Sequence, residues 1–377
     1  MIKPFDEPIY VTRPLLPPLE AIQARLAEVW SARWLTNAGE QHERLERAIR
    51  DYLAVPHASL FNNGTIALLA AVRGLGLTGE VITTPFTFPA TPHALAWSNV
   101  TPVFCDIDPV SMTLDAARIE ALVTPRTTGI MAVHVYGIPC DVDAIQAVAD
   151  RFGLKVIYDA AHAFGVRVDG VGIGNFGDVS MFSFHATKLF HTAEGGALTY
   201  RDGALKANID HLKNFGILNQ DEVDVIGING KMSELHAVLG LAVLELVEEE
   251  IDLRRSIAAR YRSRLSAIPG IVPMPELPGV TDSHQYFVVR IDEGMFGCSR
   301  NALFEQLKQQ NVFTRKYFFP LCSDYACYAS LPSSRKELLL VAHRVVNEVL
   351  CLPIYGRLSL DDVDRICDMI AVASVCV

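Results

Sequence analysis

Between residues 57 and 158, short β-rich runs take turns with helix-patterned segments, and this alternation constrains the chain more than any other feature. Residues 57–62 read as a strand and 65–74 as a helix, then 80–85 as a strand and 89–98 as a helix despite its prolines. Residues 102–106 and 130–135 read as strands with 116–122 helical between them. The amphipathic helix 141–152 leads into a strand at 155–158. Strands joined through helices need crossover connections, hence a mainly parallel sheet that presents functional groups at the carboxyl ends of its strands. The pattern then changes. Residues 178–184 and 196–200 look like strands with no long helix between them, and 233–268 reads as one long helix with a charged middle, of the kind that joins domains. After the Pro-rich stretch 269–278, a strand (285–291) and helices (299–310, 334–350, 361–373) fit a smaller α/β domain. The expected architecture is α/β. Residues 1–245 form an N-terminal arm and large domain, and 246–377 a linking helix and small C-terminal domain.

At 377 residues, half of them hydrophobic, the chain is too long for one compact domain. Its formal charge of −10 gives it no general attraction to nucleic acid or anionic lipid, so any anion site must be local. The first eight residues carry an acidic pair and two prolines where a signal peptide needs an apolar run. No stretch approaches the ~20 apolar residues of a membrane helix. The eight cysteines (105, 140, 298, 322, 327, 351, 367 and 376) form no C-x-x-C and read as reduced thiols of a cytoplasmic protein. No Cys/His spacing fits a zinc ligand set, so no metal is expected.

Three segments carry candidate chemistry. In Val156-Ile157-Tyr158-Asp159-Ala160-Ala161-His162 an apolar strand ends in a carboxylate, which taken alone reads more readily as a helix cap or turn. Lys188 closes the aromatic stretch Ser180–Phe184 and its short extension; most lysines are solvated, yet one held in a pocket loses its proton readily and condenses with an aldehyde. Asn63-Gly64-Thr65 lies between strand and helix, where glycine, hydroxyl and helix amides suit a phosphate, or make an ordinary N-cap. Phe88, after the second strand, fits stacking on a flat ring, although aromatics there are commonly core. In this order, with Lys188 29 residues after Asp159, the parts are those of a pyridoxal-phosphate (PLP) site: a carboxylate keeps the pyridine nitrogen protonated so that the ring acts as an electron sink.

These segments, with Thr87-Phe88-Pro89-Ala90-Thr91, Val103-Phe104-Cys105-Asp106-Ile107-Asp108, Ser183-Phe184-His185-Ala186-Thr187-Lys188, Glu194-Gly195-Gly196-Ala197 and Asn229-Gly230-Lys231-Met232-Ser233-Glu234, make the sequence resemble the DegT/DnrJ/StrS-type nucleotide-sugar aminotransferases, from about residue 14 to 370. The resemblance implies the fold-type I architecture of PLP enzymes, with a large, mainly parallel mixed sheet. It makes Lys188 the Schiff-base lysine, Asp159 the partner of the pyridine nitrogen and Phe88 the stacking ring. Gly64, Thr65 and Ser183 would hold the phosphate. Asn229 would reach the phosphate of a neighbouring subunit, which implies a homodimer. His162 stands where many members have Gln beside the cofactor hydroxyl, and Lys231 where many have Arg. Glutamate would donate the amino group through the pyridoxamine form, with Lys188 as base and then acid. Members that dehydrate sugars carry His in place of the lysine, so that activity is not expected.

Leu35-Thr36-Asn37 and the segment 314–321 are similar to members acting on dTDP-4-keto-6-deoxyglucose. C4 amination, giving dTDP-4-amino-4,6-dideoxyglucose for O-antigen or another glycoconjugate, is the first expectation, and C3 amination of the 3-keto isomer the second. Arg315, Lys316 and Tyr317 would contact the nucleotide sugar; a solvated basic pair beside a core aromatic is the alternative. Two rival classes remain. Gly172-Ile173-Gly174-Asn175-Phe176-Gly177 matches the dinucleotide fingerprint, but a strand rather than a helix follows it, so a nicotinamide enzyme is disfavoured. A non-catalytic, regulatory PLP-fold protein would be signalled by loss of the lysine or aspartate, and both are present.

Overall fold

The computed structural model describes residues 2–373; Cys376 lies outside them. Seven strands form the large sheet: β1 (His57–Phe61), β2 (Glu80–Thr83), β3 (Thr101–Phe104), β4 (Thr127–Val133), β5 (Lys155–Asp159), β6 (Val179–Ser183) and β7 (Gly196–Tyr200). Their order is β1-β7-β6-β5-β4-β2-β3. Only β7 runs antiparallel to its neighbours, which makes the sheet mixed and mainly parallel. Nearly every residue of β4 and β5 is buried, as helices covering both faces require. The crossover helices start and stop on local signals. Asp141 caps Val142–Phe152 by accepting from the Ala144 amide, and Gly153 ends it at φ 67°, a left-handed turn that glycine makes without strain.

Elsewhere the structure departs from expectation. The stretch 233–268 is two helices, Glu234–Leu244 and Val247–Leu265, separated at Leu246 (φ −104°, ψ −7°). Glu248, Glu249 and Glu250 are not a charged middle; they occupy the first turn of the second helix, where negative charge offsets the positive end of the helix dipole. The stretch 334–350 begins in tight 3₁₀ turns, is helical only over Leu340–Glu348, and then becomes the strand Val349–Leu352. Those last residues pair with Phe287–Ile291, which pairs in turn with Ile271–Pro273 in an antiparallel three-stranded sheet. Cross-strand pairing wins here over helical periodicity, because Val349–Leu352 is buried throughout. Helices Leu19–Ala32, Glu40–Leu53 and Gly203–Leu212 have no counterpart among the expectations.

Two long-range caps tie the parts together. Asp106, two residues past β3, accepts from the Val341 and Ala342 amides at 2.9 and 2.8 Å. Glu234 accepts from the Gln41 and His42 amides at 2.8 and 2.9 Å. The N-terminal arm leaves the large sheet altogether: Ile9–Tyr10 pairs with Val312–Phe313, and Phe5 and Ile9 join the hydrophobic cluster built on Val247–Leu265 and Phe287–Ile291. The seven described cysteines outside 376 are free thiols. Among the described residues no helix is long and apolar enough to cross a membrane, and no cluster of His, Cys, Asp or Glu is arranged to hold a metal.

Candidate active site

The carboxyl ends of β5 and β6 and the turn after β1 open into one cavity of about 350 Å³, within the roughly 300–1,000 Å³ usual for small-molecule sites. A larger surface groove of about 770 Å³, between Asp108–Glu120 and Leu277–Val280, brings none of the candidate residues together. Convergent chemistry, not size, picks out the site.

Asp159 ends β5 at the cavity floor and is 4 % exposed. Its Oδ2 accepts from Thr91 Oγ1 at 2.7 Å and its Oδ1 from the Ala161 amide at 3.1 Å. Thr87 Oγ1 lies 2.9 Å from Thr91 Oγ1 and extends the chain. Burial holds the Asp159 carboxyl above its ordinary range, against the opposing pull of those two bonds and of the Lys188 charge. A carboxylate whose charge is penalised by burial gains from a cationic N–H partner set against it in the open cavity above.

Lys188 rides on a loop from Phe184 to Gly195, closed where Gly195 O accepts from the Phe184 amide at 2.8 Å and Phe184 O from the Thr192 amide at 3.0 Å. Gln285 grips the loop from outside: its Oε1 accepts from the Leu189 amide at 2.6 Å, and its Nε2 donates to Thr187 O at 3.3 Å. Lys188 Nζ stands 6.0 Å from the centre of the Tyr286 ring. Burial pushes the ammonium down to about 8, with the Asp159 charge pulling the other way. The free amine, the nucleophilic form, is thereby accessible near neutral pH.

The third corner is the start of helix Gly64–Gly74. Asn63 caps it by accepting from the Ile66 amide at 2.8 Å, so the Gly64 and Thr65 amides ahead of that bond lack an intrahelical acceptor. A Cβ on Gly64 would stand 3.1 Å from Met181 Sδ and 3.2 Å from Ser183 Cβ; glycine lets the helix start close against β6. Amides, the Thr65 and Ser183 hydroxyls and the helix dipole make a cradle for an anion.

His162 faces this space from the loop after β5. Its Nδ1 accepts from the Tyr136 amide at 3.2 Å, which leaves the proton of the neutral ring on Nε2. Burial first, and the Lys188 charge second, keep the imidazole pKa well below its usual value, so the ring is neutral. Phe318 stacks on it at 5.6 Å with planes 1° apart, and Tyr286 meets it edge-on. Phe88 lines the cavity with its ring more than half exposed, a bare aromatic face.

Gly64, Thr65, Phe88, Asp159, His162, Ser183, Lys188 and Tyr317 thus line a single cavity. Asn229, Arg315 and Lys316 do not. Asn229 is exposed, on a bridge to Asn214, and its carbonyl accepts from Asn62 Nδ2 at 3.4 Å. Arg315 is exposed and bridges Cys351 through its backbone. Lys316 turns onto the Phe304 and Phe319 rings, 4.6 and 5.6 Å away, and reaches Asn301. The decoy at 172–177 forms a hairpin end and a 3₁₀ turn leading into β6, with no helix N-terminus for a pyrophosphate. Thr91, Gln285, Tyr286 and Phe318 join the site only in the fold. Thr91 had a signal, its place in the quoted run 87–91, whereas Gln285 stands almost a hundred residues from the loop it holds and had none.

A model of the DegT/DnrJ/EryC1/StrS aminotransferase family matches residues 19–371. The chain belongs to that family. It is 44 % identical to the dTDP-4-amino-4,6-dideoxy-D-glucose transaminase of Escherichia coli over 96 % of this chain and 97 % of that one. It is 34 % identical to the GDP-perosamine synthase of Caulobacter vibrioides over 90 % of this chain and 91 % of that one. Among solved structures it is similar to DesI in the presence of its TDP-sugar product, with a TM-score of 0.95 and 38 % identity over 99 % of this chain and 95 % of the other. It is also similar to PseC of Helicobacter pylori, an aminotransferase involved in the biosynthesis of pseudoaminic acid, at TM-score 0.91 and 27 % identity over 98 % of this chain and 100 % of the other. Membership in this aminotransferase family implies PLP, and the cavity fits that group: an anion cradle crowded against any Cβ, a bare aromatic face, a buried carboxyl and an amine of lowered pKa.

Proposed function

We propose that this aminotransferase moves an amino group from glutamate to C4 of dTDP-4-keto-6-deoxyglucose, giving dTDP-4-amino-4,6-dideoxyglucose, in the cytoplasm. The observation that carries the reading is the convergence of Lys188 and Asp159 on one cavity in a chain so similar, end to end, to a transaminase of that sugar. When bound, PLP would supply an aldehyde and an electron-withdrawing ring.

The residues divide the remaining work. Lys188 Nζ would hold the cofactor's aldehyde carbon covalently and, as a free amine, would take the proton from the donor's Cα and deliver it to that same aldehyde carbon, a task its depressed pKa suits. Asp159 keeps the pyridine nitrogen protonated, steadied by Thr91 and the Ala161 amide. Gly64, Thr65 and Ser183 hold the phosphate, Phe88 stacks on the ring, and His162 offers Nε2–H to the ring hydroxyl where many relatives use an amide. Tyr317 meets the sugar. Arg315 and Lys316 lie outside the lining: Lys316 packs on the Phe304 and Phe319 rings, while the Arg315 charge still reaches Tyr286 and Tyr317 on the cavity wall, where it can attract the nucleotide diphosphate. Asn229, exposed and outside the lining, serves a second copy's phosphate in a homodimer. The division into 1–245 and 246–377 serves the same chemistry, since Tyr286, Tyr317 and Phe318 wall the cavity from the second segment.

The test is a panel of nucleotide-linked 3- and 4-ketosugars offered with glutamate, with products read by mass spectrometry. A 4-amino product from the dTDP-4-ketosugar is expected; a 3-amino product, or no amination, overturns the assignment.

A further inference from the structure

At the mouth of the cavity, on the loop that carries Lys188, two side chains have no part in the scheme above. His185 and Glu194 both line the cavity and both are about half exposed. His185 Nδ1 accepts from the Thr187 amide at 3.3 Å and lies 2.8 Å from Thr187 Oγ1. An amide can only donate, so in the neutral ring the proton sits on Nε2. That nitrogen faces Glu194 Oε1 at 3.6 Å. The gap is too long for a hydrogen bond between the two.

Glu194 is held there by its backbone. Thr192 Oγ1 donates to Glu194 O at 2.7 Å, and Ala193 takes φ 64° to turn the chain. A Cβ on Gly195 would fall 2.0 Å from Thr192 Oγ1, so the turn admits only glycine next to Glu194. The loop thus presents one N–H donor and one carboxylate acceptor, a short step apart, beside Lys188. A single hydroxyl oxygen can sit about 2.8 Å from both, accepting from the first and donating to the second. Water satisfies such a pair, but so does the hydroxyl of a ring held over Lys188, and a carboxylate acceptor makes that bond charge-assisted.

We propose that His185 and Glu194 form a clamp for one hydroxyl of the sugar ring and thereby select hydroxylated ketosugars over deoxygenated ones. The clamp rests on the reading of this cavity as a nucleotide-ketosugar site. It makes both residues substrate-binding groups for the amino acceptor, with no role in recognising the amino donor.

The test pairs enzyme and substrate changes in the holoenzyme. For the wild type, kcat/KM is measured with the dTDP-4-ketosugar and with analogues lacking each free ring hydroxyl in turn, then again for Glu194→Gln and His185→Gln. Loss of a charge-assisted hydrogen bond corresponds to about 10- to 100-fold. The expected result is that one analogue is about that much poorer for the wild type, while both variants handle it as well as the parent sugar. The variants' loss should fall on the ketosugar half-reaction, read by stopped-flow absorbance, rather than on the glutamate half-reaction. An unchanged preference among the analogues in both variants overturns the clamp, as does an equal loss in both half-reactions. A wild type that reacts with glutamate yet aminates no nucleotide ketosugar overturns the clamp together with the function it rests on. Thermal unfolding of each variant separates these outcomes from a disordered loop, and either variant alone suffices.

Discussion

The floor and the far wall of the cavity are built in opposite ways. Each floor group sits within a few residues of the end of a strand it continues: Gly64 and Thr65 after β1, Phe88 after β2, Asp159 on β5, Ser183 on β6 and Lys188 soon after it. The wall is Tyr286, Tyr317 and Phe318, brought from another part of the chain and held by contacts across more than a hundred residues. Tyr136 donates its hydroxyl to Tyr317 O, and Phe318 stacks with both Tyr136 and His162. Floor residues are local strand-and-turn products, and the proposed scheme gives them the cofactor chemistry. The wall is a tertiary product, and in the proposed scheme it is the side that meets the sugar.

Substitutions should separate these two halves, and the floor should suffer more. Lys188→Ala should abolish turnover and remove the borohydride-sensitive visible absorbance of the holoenzyme; transamination retained by that variant would break the scheme. Asp159→Asn keeps the shape of the floor but not its charge, and kcat should drop on the order of 10²–10³-fold, with PLP still detectable in the protein.

A pH series sharpens the same contrast without mutation. Below about 8 Lys188 is an ammonium ion; above it the amine is free. The rate at which the apo-protein traps an aromatic aldehyde should therefore climb about tenfold per pH unit and level off near pH 8, where an unperturbed lysine continues toward ~10.4. Borohydride trapping followed by peptide mass spectrometry reads this at Lys188; a plateau above pH 10 would remove burial as the cause. Thr91→Val takes one donor from Asp159, and activity should fall about fivefold, for roughly 1 kcal/mol, with the remaining carboxyl titrating still higher. The wall should respond least. Tyr136→Phe, which frees Tyr317 O, should raise the ketosugar KM a few-fold and leave the glutamate half-reaction within twofold.

The alternation of strand and helix from 57 to 158 and the switch after it could be read directly, and the order of motifs with the family resemblance pointed to Lys188 and Asp159, which the fold brings to one cavity; a strand-end motif carries its geometry with it, since the residue after an apolar run emerges at the sheet's edge wherever the rest of the chain goes. Periodicity failed where two solutions fit the same residues. Val349–Leu352 continues a helical pattern, and only the empty edge beside Phe287–Ile291 makes it a strand. The charged run at 248–250 fits the middle of a long helix as well as the start of a new one, and the turn at Leu246 decides between them. Asp106 and Glu234 lie in motifs quoted for function, yet in the fold each caps a helix far away in sequence.

The amino-acid sequence by itself determined the chemistry this chain can do: an amine, an acid, an anion cradle and a flat aromatic, each placed by a local strand and turn. Tertiary structure alone decided how that chemistry is enclosed. It set Gln285 on the lysine loop, Thr91 on Asp159, Tyr136 on His162, and the aromatic wall opposite. Those contacts depend on the packing of segments whose separation along the chain leaves no periodic or compositional trace, and the energy that selects them exists only once the surrounding surface is buried.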